Sequence, residues 1–154
     1  MRRHRRVDVL TDSHPVHGEL RARFPGANRR YASIVLDVLF DHFLCLEWSR
    51  YATGSRDQFI DHTYRIITDH PDLLPRPFAD VAPRWVASDW LRVYDSLEGV
   101  GAVLARLSRR LSEPAGLLAA WDVASRDTGP LRSGFLRLFP EVRTALDGLH
   151  CNGA

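Results

Sequence analysis

Residues 34–44 read Ile34-Val35-Leu36-Asp37-Val38-Leu39-Phe40-Asp41-His42-Phe43-Leu44, and eight of these eleven side chains are apolar. At 3.6 residues per turn they cover nearly every face of a helix. The stretch lies within a coherent helical pattern from Arg29 to Tyr51, the longest in the chain. It therefore predicts a central helix buried on almost all sides. No segment alternates convincingly with the two-residue period of a strand, so the expected fold class is all-α, a compact multi-helix domain.

The flanking pattern agrees. Upstream, Pro15 opens a short amphipathic stretch that runs to Phe24 and is stopped by Pro25-Gly26. Downstream, a helix from Arg56 to Asp69 turns Phe59, Tyr64, Ile66 and Ile67 inward, and Pro71, Pro75 and Pro77 make a stiff connector. Short helices carrying Trp85 and Trp90 fill 78–94, interrupted at Pro83. A helix from Leu97 to Leu111 follows, with Arg106, Arg109 and Arg110 near its C-terminal end, where cations suit the helix dipole. Glu113-Pro114 opens another helix, to Ser125. The last helix, Leu131 to Leu149, is expected to bend or break at Pro140. Four tryptophans, Trp48, Trp85, Trp90 and Trp121, read as packing residues.

The chain has 154 residues, enough for one domain over 1–150 with a frayed tail at 151–154. Basic and acidic residues nearly balance, 21 against 19, which gives no general case for nucleic acid or membrane binding. There is no Lys, and Arg2, Arg3, Arg5, Arg6, Arg21, Arg23, Arg29 and Arg30 crowd the first thirty residues. A GC-rich genome explains such usage; so does a basic face for an acidic or phosphorylated partner, since Arg binds carboxylate and phosphate bidentately. Two cysteines are too few for a disulfide framework, and Cys45 reads as a small core residue. No apolar run approaches the roughly 20 residues of a membrane span, and no secretory signal opens the chain. The expected location is the cytoplasm.

Chemistry concentrates in the first 42 residues. In His4-Arg5-Arg6-Val7-Asp8-Val9-Leu10-Thr11-Asp12 the polar groups His4, Asp8 and Asp12 recur every four positions, one face of a helix. Asp37 and Asp41 repeat the spacing on the apolar helix, with His42 alongside. A carboxylate buried there needs compensation, and two of them a turn apart repel unless positive charge lies near. A divalent metal meets that need and brings hydrolytic chemistry. So does a network in which Asp37 or Asp41 pairs with Arg5, Arg6, Arg29 or Arg30. Asp12 or Ser13 is equally suited to cap a helix. Asp61-His62 and Asp69-His70 read as solvated surface, and His17 as exposed. No nucleophile elbow, phosphate loop or cysteine zinc pattern is present.

The segments 4–15 and 36–44 with Trp48, followed by Trp90-Leu91-Arg92-Val93-Tyr94 and Phe135-Leu136-Arg137-Leu138-Phe139-Pro140, resemble the acyl carrier protein phosphodiesterase family in order and spacing. The resemblance covers nearly the whole chain. It implies an HD-phosphohydrolase-like helical fold and dependence on a divalent metal, typically Mn2+. The implied reaction hydrolyses the phosphodiester joining 4′-phosphopantetheine to a serine of acyl carrier protein, turning holo-carrier into apo-carrier. It implies His4, Asp8, Asp37 and Asp41 as metal ligands and Asp41, His42 and Asp12 as catalytic groups, without dividing ligands from proton carriers. Arg5, Arg6, Arg29 and Arg30 would meet the holo-carrier. Members usually begin several dozen residues earlier, so the chain is expected to lack a segment that helps build the metal site. The alternatives are a related hydrolase of a nucleotide or other small phosphodiester, and a non-catalytic carrier-binding module.

Overall fold

A computed structural model describes residues 2–151, with side-chain surroundings for 6–148. The side chains of His4 and Arg5, and most of the expected tail 151–154, lie outside the described residues. The described residues hold ten α-helices, three short 3₁₀ helices and no strand, which bears out the all-α expectation. They divide into two compact units, 1–40 with 104–154, and 41–103; the divisions fall inside two helices, α3 (Ala32–Leu46) and α8 (Leu97–Ser108).

The expected helix from Arg29 to Tyr51 is three pieces. Gly26, at φ +53°, starts a 3₁₀ helix over Gly26–Tyr31, then comes α3, and after Glu47 the four-residue α4 (Trp48–Tyr51). Ala32, Val35, Leu36 and Leu39 are fully buried, as the apolar run predicts. The expectation that Asp37 and Asp41 are buried is overturned, because both are exposed. A single solvent line suffices for them, and the remaining faces take the apolar residues.

In the first unit α1 (Arg2–Ser13) packs on α2 (Pro15–Ala22) and on α10 (Gly129–Cys151). The core joins Val16, Leu20 and Phe24 to Phe135 and Leu138. Helices α2 and α10 approach so closely that a Cβ on Gly134 would lie 2.5 Å from Leu20 Cδ2. Helix α9 (Pro114–Arg126) meets the Gly26–Tyr31 segment in the same way, with Gly116 under the Tyr31 ring. Helix α10 runs unbroken through Pro140, so of the expected bend or break the break is overturned. Pro140 lies on the exposed face of the helix. Leu131, Phe135, Leu138 and Val142 bury one continuous face across it, and that apolar burial outweighs the one lost backbone hydrogen bond.

The second unit is built on α5 (Arg56–Asp69), capped by Ser55 and packed on α7 (Ala82–Ala87). Ile60 is buried and Tyr64 and Ile67 on the same face are half-buried, whereas Phe59 and Ile66, expected inward, are 52% and 44% exposed. Adjacent apolar pairs leave the inward face ambiguous by one residue, and packing on α7 decides it. Short α6 (Arg76–Ala79) precedes α7, where Pro83 stands in the first turn and starts the helix it was expected to interrupt. A 3₁₀ helix over Trp90–Asp95 completes an aromatic ladder, Phe78–Trp85–Trp90–Tyr94, with centroids 4.9, 4.8 and 5.8 Å apart. Arg92 locks that segment to α5 by bonding Asp57, Asp61 and Asp89 at 2.8–3.0 Å.

Candidate functional site

Helix α1 forms as its four-residue periodicity predicts and sets Asp8 and Asp12 one turn apart, both exposed. Asp37, from α3, comes near both of them. Its carboxyl is pushed up to about 6, first by lost hydration, then by the negative charges of Asp12 and Asp8. By surface area Asp37 is exposed, but the protein packed around the carboxyl still strips enough water to disfavour its charge. No hydrogen bond or ion pair to Asp37 is found among the described residues. The arginines of the ion-pair reading are placed otherwise. Arg30 bonds Glu113 at 3.1 Å and lies over the Tyr31 ring, and Arg6 and Arg29 are exposed. Asp8, Asp12 and Asp37 are thus brought together as acids, without an arginine on Asp37.

The residue the sequence misplaced is His17. Expected at the surface, it is 0% exposed, on the same α2 face as Val16 and Leu20. Its Nδ1 stands 3.8 Å from Asp12 Oδ1, and neither ring nitrogen has a hydrogen-bond partner among the described residues. Burial lowers its pKa, partly opposed by Asp12, so the ring is neutral at neutral pH. A signal existed in the helical spacing of Val16, His17, Leu20 and Phe24, but a histidine reads as polar until its neighbours are known. His14 next to it caps α2, where Asp12 or Ser13 was expected. Its Nδ1 accepts from Val16 N at 3.2 Å, which leaves Nε2–H to donate to Glu141 at 3.1 Å.

Asp41 and His42 belong to the second unit. His42 is buried, with Nδ1 2.6 Å from the Tyr94 carbonyl oxygen. The carbonyl can only accept, so Nδ1 is the donor in this bond. Asp41 stands at the rim of a cavity of about 190 Å³ whose wall includes Cys45, Trp48, Ile60, Leu91 and Tyr94. Burial raises the Cys45 thiol, and it pushes Tyr94 up to about 12, helped by Asp41 and then Cys45, so both stay protonated at neutral pH. Arg56, also on the wall, pairs with Asp95 and donates from Nη2 to the Leu91 carbonyl at 2.9 Å. Nothing in the sequence marked residues 56 and 90–94 as cavity walls, because they meet 41–48 only through tertiary packing.

The first-unit donors are carboxylate oxygens and an imidazole with unclaimed nitrogens, a chemistry that suits a divalent cation. Among the described residues, no three His, Cys, Asp or Glu side chains already converge closely enough to hold one. No described helix is long and apolar enough to cross a membrane.

A family model described as acyl carrier protein phosphodiesterase matches residues 1–142. Similar curated proteins are acyl carrier protein phosphodiesterases of Photorhabdus laumondii (33% identical, covering 91% of this chain and 71% of the relative), Yersinia enterocolitica (34%, 90% and 72%) and Serratia proteamaculans (34%, 90% and 72%). No solved structure matches the chain.

Proposed function

Because this chain belongs to the acyl carrier protein phosphodiesterase family, we propose that it is a hydrolase that cleaves the phosphodiester between 4′-phosphopantetheine and the serine of holo acyl carrier protein, yielding the apo-carrier. The observation that supports a charged reaction centre is the Asp37 carboxyl, pushed up to about 6 by lost hydration and then by the negative charges of Asp12 and Asp8, with no ion pair to it among the described residues. Such an arrangement is costly in an empty protein and becomes favourable around a positive ion.

In this reading Asp8, Asp12 and Asp37 hold a divalent metal, Mn2+ in the first instance, together with His4. When bound, the metal would supply positive charge against the oxygens of the phosphodiester. The described acids alone do not complete its coordination, which is why His4 is part of the proposal. His17 stands beside this set, its Nδ1 3.8 Å from Asp12 Oδ1. Asp41 and His42 are the proposed proton carriers. The bond from His42 Nδ1 to the Tyr94 carbonyl fixes the ring that would carry the proton. The exposed Arg6 and Arg29, with Arg5 and Arg30, are the proposed docking residues for a strongly acidic carrier, whose association would weaken as salt rises. A cytoplasmic location is proposed with them.

The experiment is incubation of the chain with holo-carrier and Mn2+, followed by intact-mass measurement of the carrier. Loss of the phosphopantetheine group, abolished by a chelator, is the expected result. An unchanged holo mass after prolonged incubation with saturating Mn2+ would overturn the reading.

A further inference from the structure

Buried polar nitrogens without a partner are rare in folded proteins and call for a physical reason. On α2 two residues carry them one helical turn apart, His17 at both ring nitrogens and Arg21 at Nε. The two side chains share one face of the helix, and His17 Nδ1 there stands 3.8 Å from Asp12 Oδ1. The positive charge of Arg21 helps to lower the His17 pKa, which places the guanidinium near that ring.

Arg21 differs from the other described arginines of the first thirty residues. Arg6, Arg23 and Arg29 are exposed, and Arg30 is bound to Glu113. Arg21 is half-buried with Nε enclosed, and no ion pair to it is found among the described residues. Such a guanidinium has lost hydration and rotamer freedom without gaining a carboxylate. Held in place beforehand, it attracts an incoming anion at little further ordering cost and more strongly than it would in open water.

The guanidinium also selects the kind of anion. It offers only N–H donors, in a planar fork that matches two oxygens of one carboxylate or phosphate. Asp12 is at hand beside His17, yet Arg21 does not pair with it. A phosphodiester carries one negative charge shared by two nonbridging oxygens, and in the reading above it must approach these acids. We propose that Arg21 binds the nonbridging oxygens of the substrate phosphodiester, as the chain's own positive group at the reaction centre. The assignment rests on the phosphodiesterase reading for its substrate, but anion binding at Arg21 is measurable without that reaction.

Release of phosphopantetheine from holo-carrier in Mn2+ is the first measurement. Arg21→Ala should lower kcat/KM about 100-fold, the scale of one preorganised donor removed from a reaction centre. Its Tm should still rise with Mn2+ as that of wild type does, because Arg21 holds the anion and not the metal. Guanidinium chloride should restore part of the lost rate, and sodium chloride at the same concentration should not. Arg23→Ala, which removes an exposed charge at the end of the same helix, should stay within about twofold. Four results overturn the assignment: an Arg21→Ala chain as active as wild type, a loss just as large in Arg23→Ala, a loss that guanidinium leaves untouched, or a vanished response to Mn2+. Should Arg21→Ala fail to fold, Arg21→Lys keeps the charge without the fork and should lose about tenfold. Wild-type kcat/KM in that variant would then decide against Arg21.

Anion binding alone is read by titrating dimethyl phosphate, a diester monoanion without carrier or pantetheine, into the isotope-labelled chain in Mg2+. The Arg21 Nε–H resonance, identified by its loss in Arg21→Lys, should shift saturably and at lower concentration than that of any exposed arginine. Trimethyl phosphate, which is neutral, should leave it in place. An equal response to the neutral ester, or one no tighter than at exposed arginines, overturns the assignment. The two readings fail separately. Saturable diester binding at Arg21 with no release of phosphopantetheine by wild type condemns the phosphodiesterase reading, and release that Arg21→Ala retains in full condemns the role of Arg21.

Discussion

Two clusters of acids, one in each unit, are treated in opposite ways. In 41–103, Arg92 gathers Asp57, Asp61 and Asp89, and Arg56 takes Asp95, so the acids that come together do so around a guanidinium. In the other unit Asp37 faces Asp8 and Asp12, its carboxyl is pushed up to about 6, and the histidine beside Asp12 is neutral. Arginine is abundant near these acids in sequence, yet no described guanidinium reaches Asp37. Where acids serve the fold, this chain supplies the cation itself. Asp37 has no described guanidinium against it, and that contrast is the ground for placing the proposed reaction centre there.

The largest expected effect tests that separation directly. Asp37→Asn should lower Mn2+-dependent release of phosphopantetheine about 100-fold or more, the scale of losing one preorganised charge from a reaction centre. Asp61→Asn, which removes one of three acids on Arg92, should stay within about twofold. Similar losses in both variants would erase the distinction.

A smaller effect appears without substrate. Mn2+ at about 100 times its dissociation constant should stabilise the wild-type chain by roughly 2.7 kcal/mol, read as a rise in Tm, and Asp37→Asn should lose most of that rise. Arg92→Ala should behave the other way, lowering Tm by a few degrees yet keeping the full response to Mn2+. An Arg92→Ala chain that no longer responds would mean the acids of the two units are not independent.

The smallest effect is a pH slope in the metal-free chain. Asp37 binds its proton more tightly when folded, at about 6 against an ordinary 3.8. The stability this gives is complete below 3.8 and is lost as pH rises through 6. Asp37→Asn does not suffer that loss, so its Tm should gain on wild type across this window and hold the gain at pH 7. The depressed His17 acts with the opposite sign, losing stability as pH falls, but it is present in both proteins and largely cancels from the difference. A constant Tm difference across the window would show that Asp37 is not perturbed.

Much of this was legible in the residues. The helix class follows from the period of the apolar positions, and the His4, Asp8, Asp12 register appears as α1 because i, i+4 spacing is local geometry. Proline and glycine punctuation placed the starts of α2 and α9 for the same local reason. Exposure was harder. Asp37 and Asp41 looked buried because their neighbours in sequence are apolar, but burial depends on which face the neighbours in space leave open. His17 failed in the reverse direction: polar by type, it is enclosed together with Val16 and Leu20.

What sequence alone determines here is therefore whatever a single helix can express: its period, its caps, and which side chains share a face. Tertiary structure decided the rest, because bringing α1 to α3, or the 90–94 segment to Asp41 and Cys45, depends on contacts between residues dozens of positions apart. The unbroken course of α10 through Pro140 belongs to that second kind, since a local rule for proline yields when enough apolar surface is buried on both sides of it.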